Sequence, residues 1–171
     1  MTALRRAHPD DAGAIAEVHV RAWKGAYPGL LPQDYLDALH PEDRVGMWAE
    51  ALGTSPWPVV LVAEDEGLVR GFCSFGPSQD GDADPAVVGE LYTIYVDPDA
   101  WGEGLGRALL EAATAGLTEA GFAEATLWVL GVNEAARGFY DHAGWHHDGT
   151  TKERNWTAFV AMDARYRRRL I

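Results

Sequence analysis

The sequence has a single cysteine, Cys73. One thiol can form neither an internal disulfide nor a cysteine-based zinc cage, which makes a reducing cytoplasm the expected compartment. Long apolar runs are also missing, and none approaches the ~18–20 residues of a membrane-spanning helix. Residues Met1 to Asp11 carry Arg5 and Arg6 with no apolar segment behind them, so no secretory signal is expected. Positive charge is scarce. Lys and Arg number 14 against 26 Asp and Glu, a formal net charge of −12, and four of the arginines fall in the last seven positions. Setting those four aside leaves −16 on residues 1–164. An acidic body repels nucleic-acid backbones and anionic lipid and attracts cationic small molecules. Residues 165–171 read as a solvated basic tail. What the chain does have is apolar material, 47% of 171 residues, enough for one domain with a real core and too much for a disordered chain.

The periodicities and breakers give an alternating order of elements. Residues 2–7 alternate weakly as a short strand. Pro9, Asp10 and Asp11 then open a helix whose apolar stripe runs through Ala12, Ile15, Ala16, His19 and Trp23. Pro32 and Pro41 open two more helices, the second predicted over Glu42 to Leu52. Val59 to Ala63 and Leu68 to Phe75 read as a hairpin, and 76–85 as loop by composition. A strand follows from Ala86 to Val96, then a helix over 102–121, a strand from Ala123 to Leu130, and a helix from Asn133 to Ala143. Strands at Trp145 to His147 and Trp156 to Met162 close the chain. The order predicts a mixed α/β fold on one core, a single domain over 1–171.

The most informative stretch is Val96-Asp97-Pro98-Asp99-Ala100-Trp101-Gly102-Glu103-Gly104-Leu105-Gly106-Arg107. A strand ends, three glycines follow at alternate positions, and an Ala/Leu-rich helix begins. Glycines there let the backbone approach a ligand closely, and the helix N-terminus suits a pyrophosphate, with Arg107 adding a cation. A P-loop requires Gly-Lys-Ser/Thr, and Gly106 is followed by Arg107-Ala108. A dinucleotide fingerprint requires a third glycine at 107 or 109, which are Arg and Leu. Both nucleotide motifs are excluded.

The segment resembles the acyl-CoA-binding signature of the GCN5-related N-acetyltransferases (GNAT), Arg/Gln-x-x-Gly-x-Gly/Ala, with Trp101 standing where the family has Arg or Gln. Downstream, Asn133-Glu134-Ala135-Ala136-Arg137-Gly138-Phe139-Tyr140-Asp141-His142-Ala143-Gly144-Trp145 is similar to the family's Asn-x-x-Ala-x-x-Phe-Tyr-x-x-x-Gly-Phe stretch, with Trp145 for Phe. The resemblance implies a mixed, mostly antiparallel sheet of about six to seven strands, splayed in the middle and flanked by helices. It implies acetyl-CoA as co-substrate and no metal. Tyr95 and Val96 would offer backbone hydrogen bonds to the pantetheine arm. Trp101, Gly102, Gly104, Leu105, Gly106 and Arg107 would meet the phosphates, and Asn133 the cofactor.

The implied activity is acetyl transfer to the primary amine of a small molecule or peptide in a ternary complex. Growing charge on the thioester oxygen calls for a donor such as an unpaired amide at a strand bulge. Tyr140 sits where the family's leaving-group tyrosine sits. Glu90, a carboxylate in an apolar strand, fits a base working through water. Trp23 and Tyr27 lie where the family builds its acceptor pocket. Each has a plainer alternative: core packing for Tyr140, Trp23 and Tyr27, and an exposed strand start for Glu90. Also open are transfer of another acyl group and a CoA-binding domain without turnover, against which Tyr140 and Asn133 argue. His19 reads as a helix-face residue, Cys73 as buried filler, and Asp80, Asp82 and Asp84 as a solvated loop. His146 and His147 point to opposite faces of a strand. Trp156 and Phe159 are candidates for a homodimer interface.

Overall fold

The computed structural model describes residues 2–156 and 158–171. In chain order the elements are β1 (Thr2–Arg6), α1 (Ala12–Ala26), α2 (Gln33–Asp37), α3 (Glu42–Leu52), β2 (Val59–Asp65), β3 (Leu68–Pro77), β4 (Val88–Val96), α4 (Leu105–Glu119), β5 (Glu124–Leu130), α5 (Glu134–His142), β6 (His146–Trp156) and β7 (Phe159–Arg169). They build one seven-stranded sheet in the order β1-β2-β3-β4-β5-β7-β6. Every neighbouring pair is antiparallel except β4 and β5, which α4 connects as a crossover.

Local chemistry accounts for the elements. Pro41 precedes α3, and Glu42 and Asp43 occupy its first turn, where acids complement the helix dipole. The β2–β3 hairpin turns on Glu66 and Gly67, both at positive φ (51° and 80°), the geometry that matches strand twist. On one face of the sheet α4 buries Leu109, Leu110, Ala113 and Leu117 against Cys73, Phe75, Leu91 and Leu127. Gly89 makes this seating possible, because a Cβ there would come within 2.6 Å of Leu117 Cδ2. On the other face α1 and α3 bury Ile15, Ala16 and Trp48 against Val60, Val62 and Phe72.

The end of the chain departs from the sequence-based expectation. Two long strands of 11 residues each replace the short ones predicted at 145–147 and 156–162. The basic tail is no tail: residues 165–169 pair with β5 in the register Glu124↔Arg169 to Trp128↔Arg165. Arg165 is only 4% exposed. It donates to Asp82 at 2.7 and 3.0 Å, to Asp148 at 2.7 Å and to Asp80 at 3.3 Å. Two of the three aspartates read as solvated loop charge are therefore partners of a buried guanidinium. Trp156 and Phe159 are also occupied within the chain. They stack on each other at 5.5 Å and meet Tyr35 edge-on at 5.7 and 5.1 Å, half-buried against their own core.

Candidate active site

The parallel β4–β5 pair is short. Its register runs only from Val88↔Glu124 to Leu91↔Leu127, and beyond that the strands diverge without pairing. At the same point β4 carries a bulge: Ser74 faces Thr93 while Phe75 faces Leu91, leaving Tyr92 as the extra residue. The edge of residues 92–96 that would face β5 has no strand partner. A cleft of about 110 Å³ opens there and runs through the sheet. Asn133, Ala136 and Tyr140 line it on the α5 side, and Trp23, Tyr27, Leu31, Arg154, Trp156 and Asp163 on the other, with Tyr95 between.

Beside the α5 side lies the glycine turn. Gly102 and Gly104 sit at φ +83° and +81°, and a Cβ on either would meet nothing within 4 Å. Gly104 is the N-cap of α4 and no side chain caps that end, so the first-turn amides, Leu105 to Arg107, remain for a ligand. Gly106 lets Phe139 pack at ordinary contact distance, 3.7 Å from a notional Cβ. Arg107 pairs with Glu111 at 3.1 Å on the exposed face of the helix. Trp101 donates its indole N–H to the Val96 carbonyl at 2.9 Å. The Val96 oxygen thus has one of its two lone pairs engaged from within the protein. Trp101 also rests against Gly25 of α1, where a Cβ would come 3.2 Å from its ring. Asn133 caps α5, its side-chain oxygen accepting from the Ala136 N–H at 3.1 Å, which leaves its amide group as donor.

Tyr140 is 8% exposed; burial, then the nearby Tyr95, push its phenol well above the usual tyrosine range, so it is protonated at neutral pH. Across the cleft Tyr27 is raised in the same way, by burial first and the Tyr95 phenol next. Trp23 meets Tyr27 edge-on at 4.9 Å and Trp156 at 5.5 Å.

Glu90 is buried, and burial holds its carboxyl above the usual range against the Gln79 N–H, which donates to Oε1 at 2.9 Å. It lies one residue before the splay, under the 78–84 loop, and is not part of the cleft wall. His19 is 8% exposed, accepts the Trp48 indole N–H at 3.2 Å and is pushed down to about 4, by burial first and Arg44 second. It is a core histidine. His147 stacks on Tyr166 at 5.7 Å.

The sequence reading missed Arg154 and Asp163. Arg154 Nη2 lies 2.7 Å from Asp163 Oδ2, and Asp163 is 3% exposed. A lone aspartate in the run Phe159 to Arg165 was the available signal, since a strand position between apolar residues is an unusual place for a charge.

The sequence model of the Acetyltransferase (GNAT) family matches residues 17–145, well over half of the chain. The protein belongs to the GNAT family. A relative in Bacillus subtilis (strain 168), the uncharacterized N-acetyltransferase YuaI, is 36% identical over 137 residues, 78% of this chain and 74% of that one. The PaiA N-acetyltransferase from Thermoplasma acidophilum, solved with coenzyme A, superimposes with a TM-score of 0.76 at 18% identity over 99% of both chains. The acetyltransferase yncA from Salmonella typhimurium, solved with acetyl-CoA, gives 0.74 at 21% identity over 100% of this chain and 95% of that one. At these identities the structural likeness establishes the fold. This GNAT chain thus joins a splayed sheet and glycine turn to a tryptophan, Trp101, that ties the turn to β4.

Proposed function

We propose that this protein transfers the acetyl group of acetyl-CoA to the primary amine of a small molecule or peptide, by direct attack in a ternary complex. The observation that carries the reading is the through-sheet cleft, which links Tyr140 and Asn133 on one side to the aromatic pocket of Trp23 and Tyr27 on the other. The residues fit the co-substrate. Open space above Gly102 and Gly104 and the uncapped amides of α4 suit a pyrophosphate, and the unpaired edge of β4 suits an extended amide-bearing arm. Bound acetyl-CoA supplies an activated acyl group, whose C–S bond breaks as the N–C bond to the amine forms.

The chain's own groups do the rest. Backbone amides at the Tyr92 bulge are placed to stabilise charge on the carbonyl oxygen. Tyr140, held protonated, gives its proton to the departing sulfur and is reprotonated from solvent, which also takes the proton that the amine nitrogen sheds once its N–C bond has formed. The amine enters as an ammonium, since with a pKa near 10.4 only about 1 in 10³ is neutral at pH 7. Glu90, with its raised carboxyl just outside the cleft wall, takes that proton through a relay of water.

The test is free-thiol release over a panel of amines, together with Tyr140→Phe. The variant keeps the ring and loses the hydroxyl, so kcat should fall roughly 10–10³-fold while the thermal shift given by acetyl-CoA stays near wild type. An unchanged kcat returns Tyr140 to packing alone. Absence of thiol release with every amine, in a protein that binds acetyl-CoA, rejects the transfer reading.

A further inference from the structure

We propose that the acceptor half of the cleft is built for a free α-amino acid with an apolar side chain, its ammonium received by Asp163 and its carboxylate by Arg154. This rests on the acetyl-transfer reading above and names the substrate class for it.

Among the described residues that line the cleft, Arg154 and Asp163 are the only charged ones, one of each sign. They are diagonal neighbours across the β6–β7 pair, where Lys152 faces Asp163 and Arg154 faces Ala161. A carboxylate buried as deeply as Asp163 is costly unless donors match its oxygens. Its Oδ2 is hidden from water, and the Arg154 guanidinium 2.7 Å away is the one ion-pair partner it has among the described residues. One guanidinium contact leaves part of the carboxylate's accepting capacity unused, on a residue that lines the cleft. Burial raises the Asp163 carboxyl against the pull of Arg154 and Lys152, so a bound ammonium relieves an unfavourable charge.

Arg154 is the outer member. Its side chain is 41% exposed and its guanidinium lies 5.3 Å from the centre of the Trp156 ring. A planar group with five N–H donors and one charge contact retains donors for a carboxylate. An α-amino acid carries both of its charges on one carbon, a spacing that an adjacent Arg–Asp pair complements. Trp23, Tyr27, Leu31 and Trp156 leave apolar wall for the side chain. Other amines fit less well. A peptide N-terminus has no carboxylate beside its amine, and a polyamine sets a second cation near Arg154. The net charge of the chain suggested a cationic acceptor, but charges spread over the body are screened beyond ~8–10 Å, and the cleft wall decides.

The experiment compares L-leucine and L-phenylalanine with their amides and with isoamylamine and phenethylamine, in thiol release by the intact enzyme. The free acids should exceed both analogues in kcat/KM by roughly 10-fold or more. Arg154→Gln should cut kcat/KM for the acids roughly 10–10²-fold, chiefly through KM, and collapse the acid-to-amide ratio, with Arg154→Lys intermediate. Asp163→Asn should weaken acids and amines alike; circular dichroism establishes that each variant is folded. Equal use of acids and amides by the wild type, or a ratio untouched by Arg154→Gln, overturns the proposal while leaving acetyl transfer intact. If no amine releases thiol, acetyl transfer itself fails. Calorimetry of the acids and amides on the CoA-loaded protein then decides this proposal: acid binding lost in Arg154→Gln supports it, and equal binding overturns it.

Discussion

Replacing Arg165 by Met would turn the closing strand from a clamp into a liability. Methionine keeps an unbranched stem against Trp128, whose ring centre lies 5.5 Å from the guanidinium, and deletes the charge. Two of the partners cannot turn to water, because the Asp80 and Asp148 side chains are only 10% and 11% exposed; Asp148 keeps Arg167 at 3.2 Å, while Asp80 keeps only the neutral Trp128 indole N–H at 2.9 Å. The third, Asp82, is 61% exposed and rehydrates freely. Breaking a buried pair by removing one member costs about 3–5 kcal/mol when the survivor is left bare, and the retained partners place this loss at the lower end, about 3 kcal/mol. In a domain of this size each 1 kcal/mol moves Tm by roughly 2–4 °C, so the expected drop is roughly 6–12 °C, read by thermal and urea unfolding. Asp80→Asn in the same chain removes the stranded charge, while the amide oxygen can still accept from the Trp128 indole N–H, and should recover about 1 kcal/mol. The effect depends on pH with a defined sign. Burial pushes the Asp148 carboxyl up, but the Thr150 N–H and Arg165 prevail and hold it below the usual range. Its contribution is present above the unfolded carboxylate pKa and is lost as pH falls through the folded value, so the gap between wild type and variant narrows in acid. A loss below about 1 kcal/mol at neutral pH, or no recovery in the double variant, would refute the clamp.

Three further outcomes are expected. Gly104→Val puts a β-branched side chain at φ +81° over the amides of α4, so the acetyl-CoA thermal shift should vanish; a folded variant with the full shift sinks the phosphate-cradle reading. In wild type kcat/KM should rise with pH along a limb set by the raised Glu90 carboxyl and the free amine; Glu90→Gln should flatten the lower limb, lower the neutral rate and recover at high pH, and an unaltered profile removes Glu90 from proton transfer. His19 stays neutral in the fold down to about 4 while the unfolded chain gains a proton below 6.5, so stability is lost as pH falls across that window, about 3 kcal/mol in all. Urea midpoints against pH should show a shallower slope for His19→Gln, and superimposable slopes would contradict the buried, neutral assignment.

Signals carried by neighbouring residues were legible in the sequence. The three alternate glycines after Val96 mark a positive-φ turn, Pro41 with Glu42 and Asp43 marks α3, and the splay beyond Leu91 follows from the family pattern. What was missed depends on residues far apart. β6 is an edge strand whose run Asp148 to Asn155 is polar on both faces, so no period-2 pattern announces it. The arginines of β7 look like a tail until Asp80 and Asp82, more than 80 positions away, are brought beside Arg165. The Arg154–Asp163 pair is invisible for the same reason: only the β6–β7 register brings the two together. Trp101 is a mixed case. Its departure from the family pattern was plain, but its bond to Val96 belongs to the folded turn.

The position of Cys73 has a practical consequence for how this protein can be studied. The thiol is fully buried between β2 and α4, its S–H directed at the Leu109 carbonyl at 3.7 Å, and burial pushes its pKa up to about 12. At pH 8 only about one molecule in 10⁴ carries a thiolate there, and reagents attack the thiolate. The folded chain is therefore mute toward disulfide-exchange dyes and maleimides. Any absorbance that such a dye develops in a reaction mixture belongs to liberated coenzyme, with no protein blank to subtract. Conversely, a slow rise in that signal without an acceptor amine, in step with unfolding, would count denatured molecules one thiol at a time.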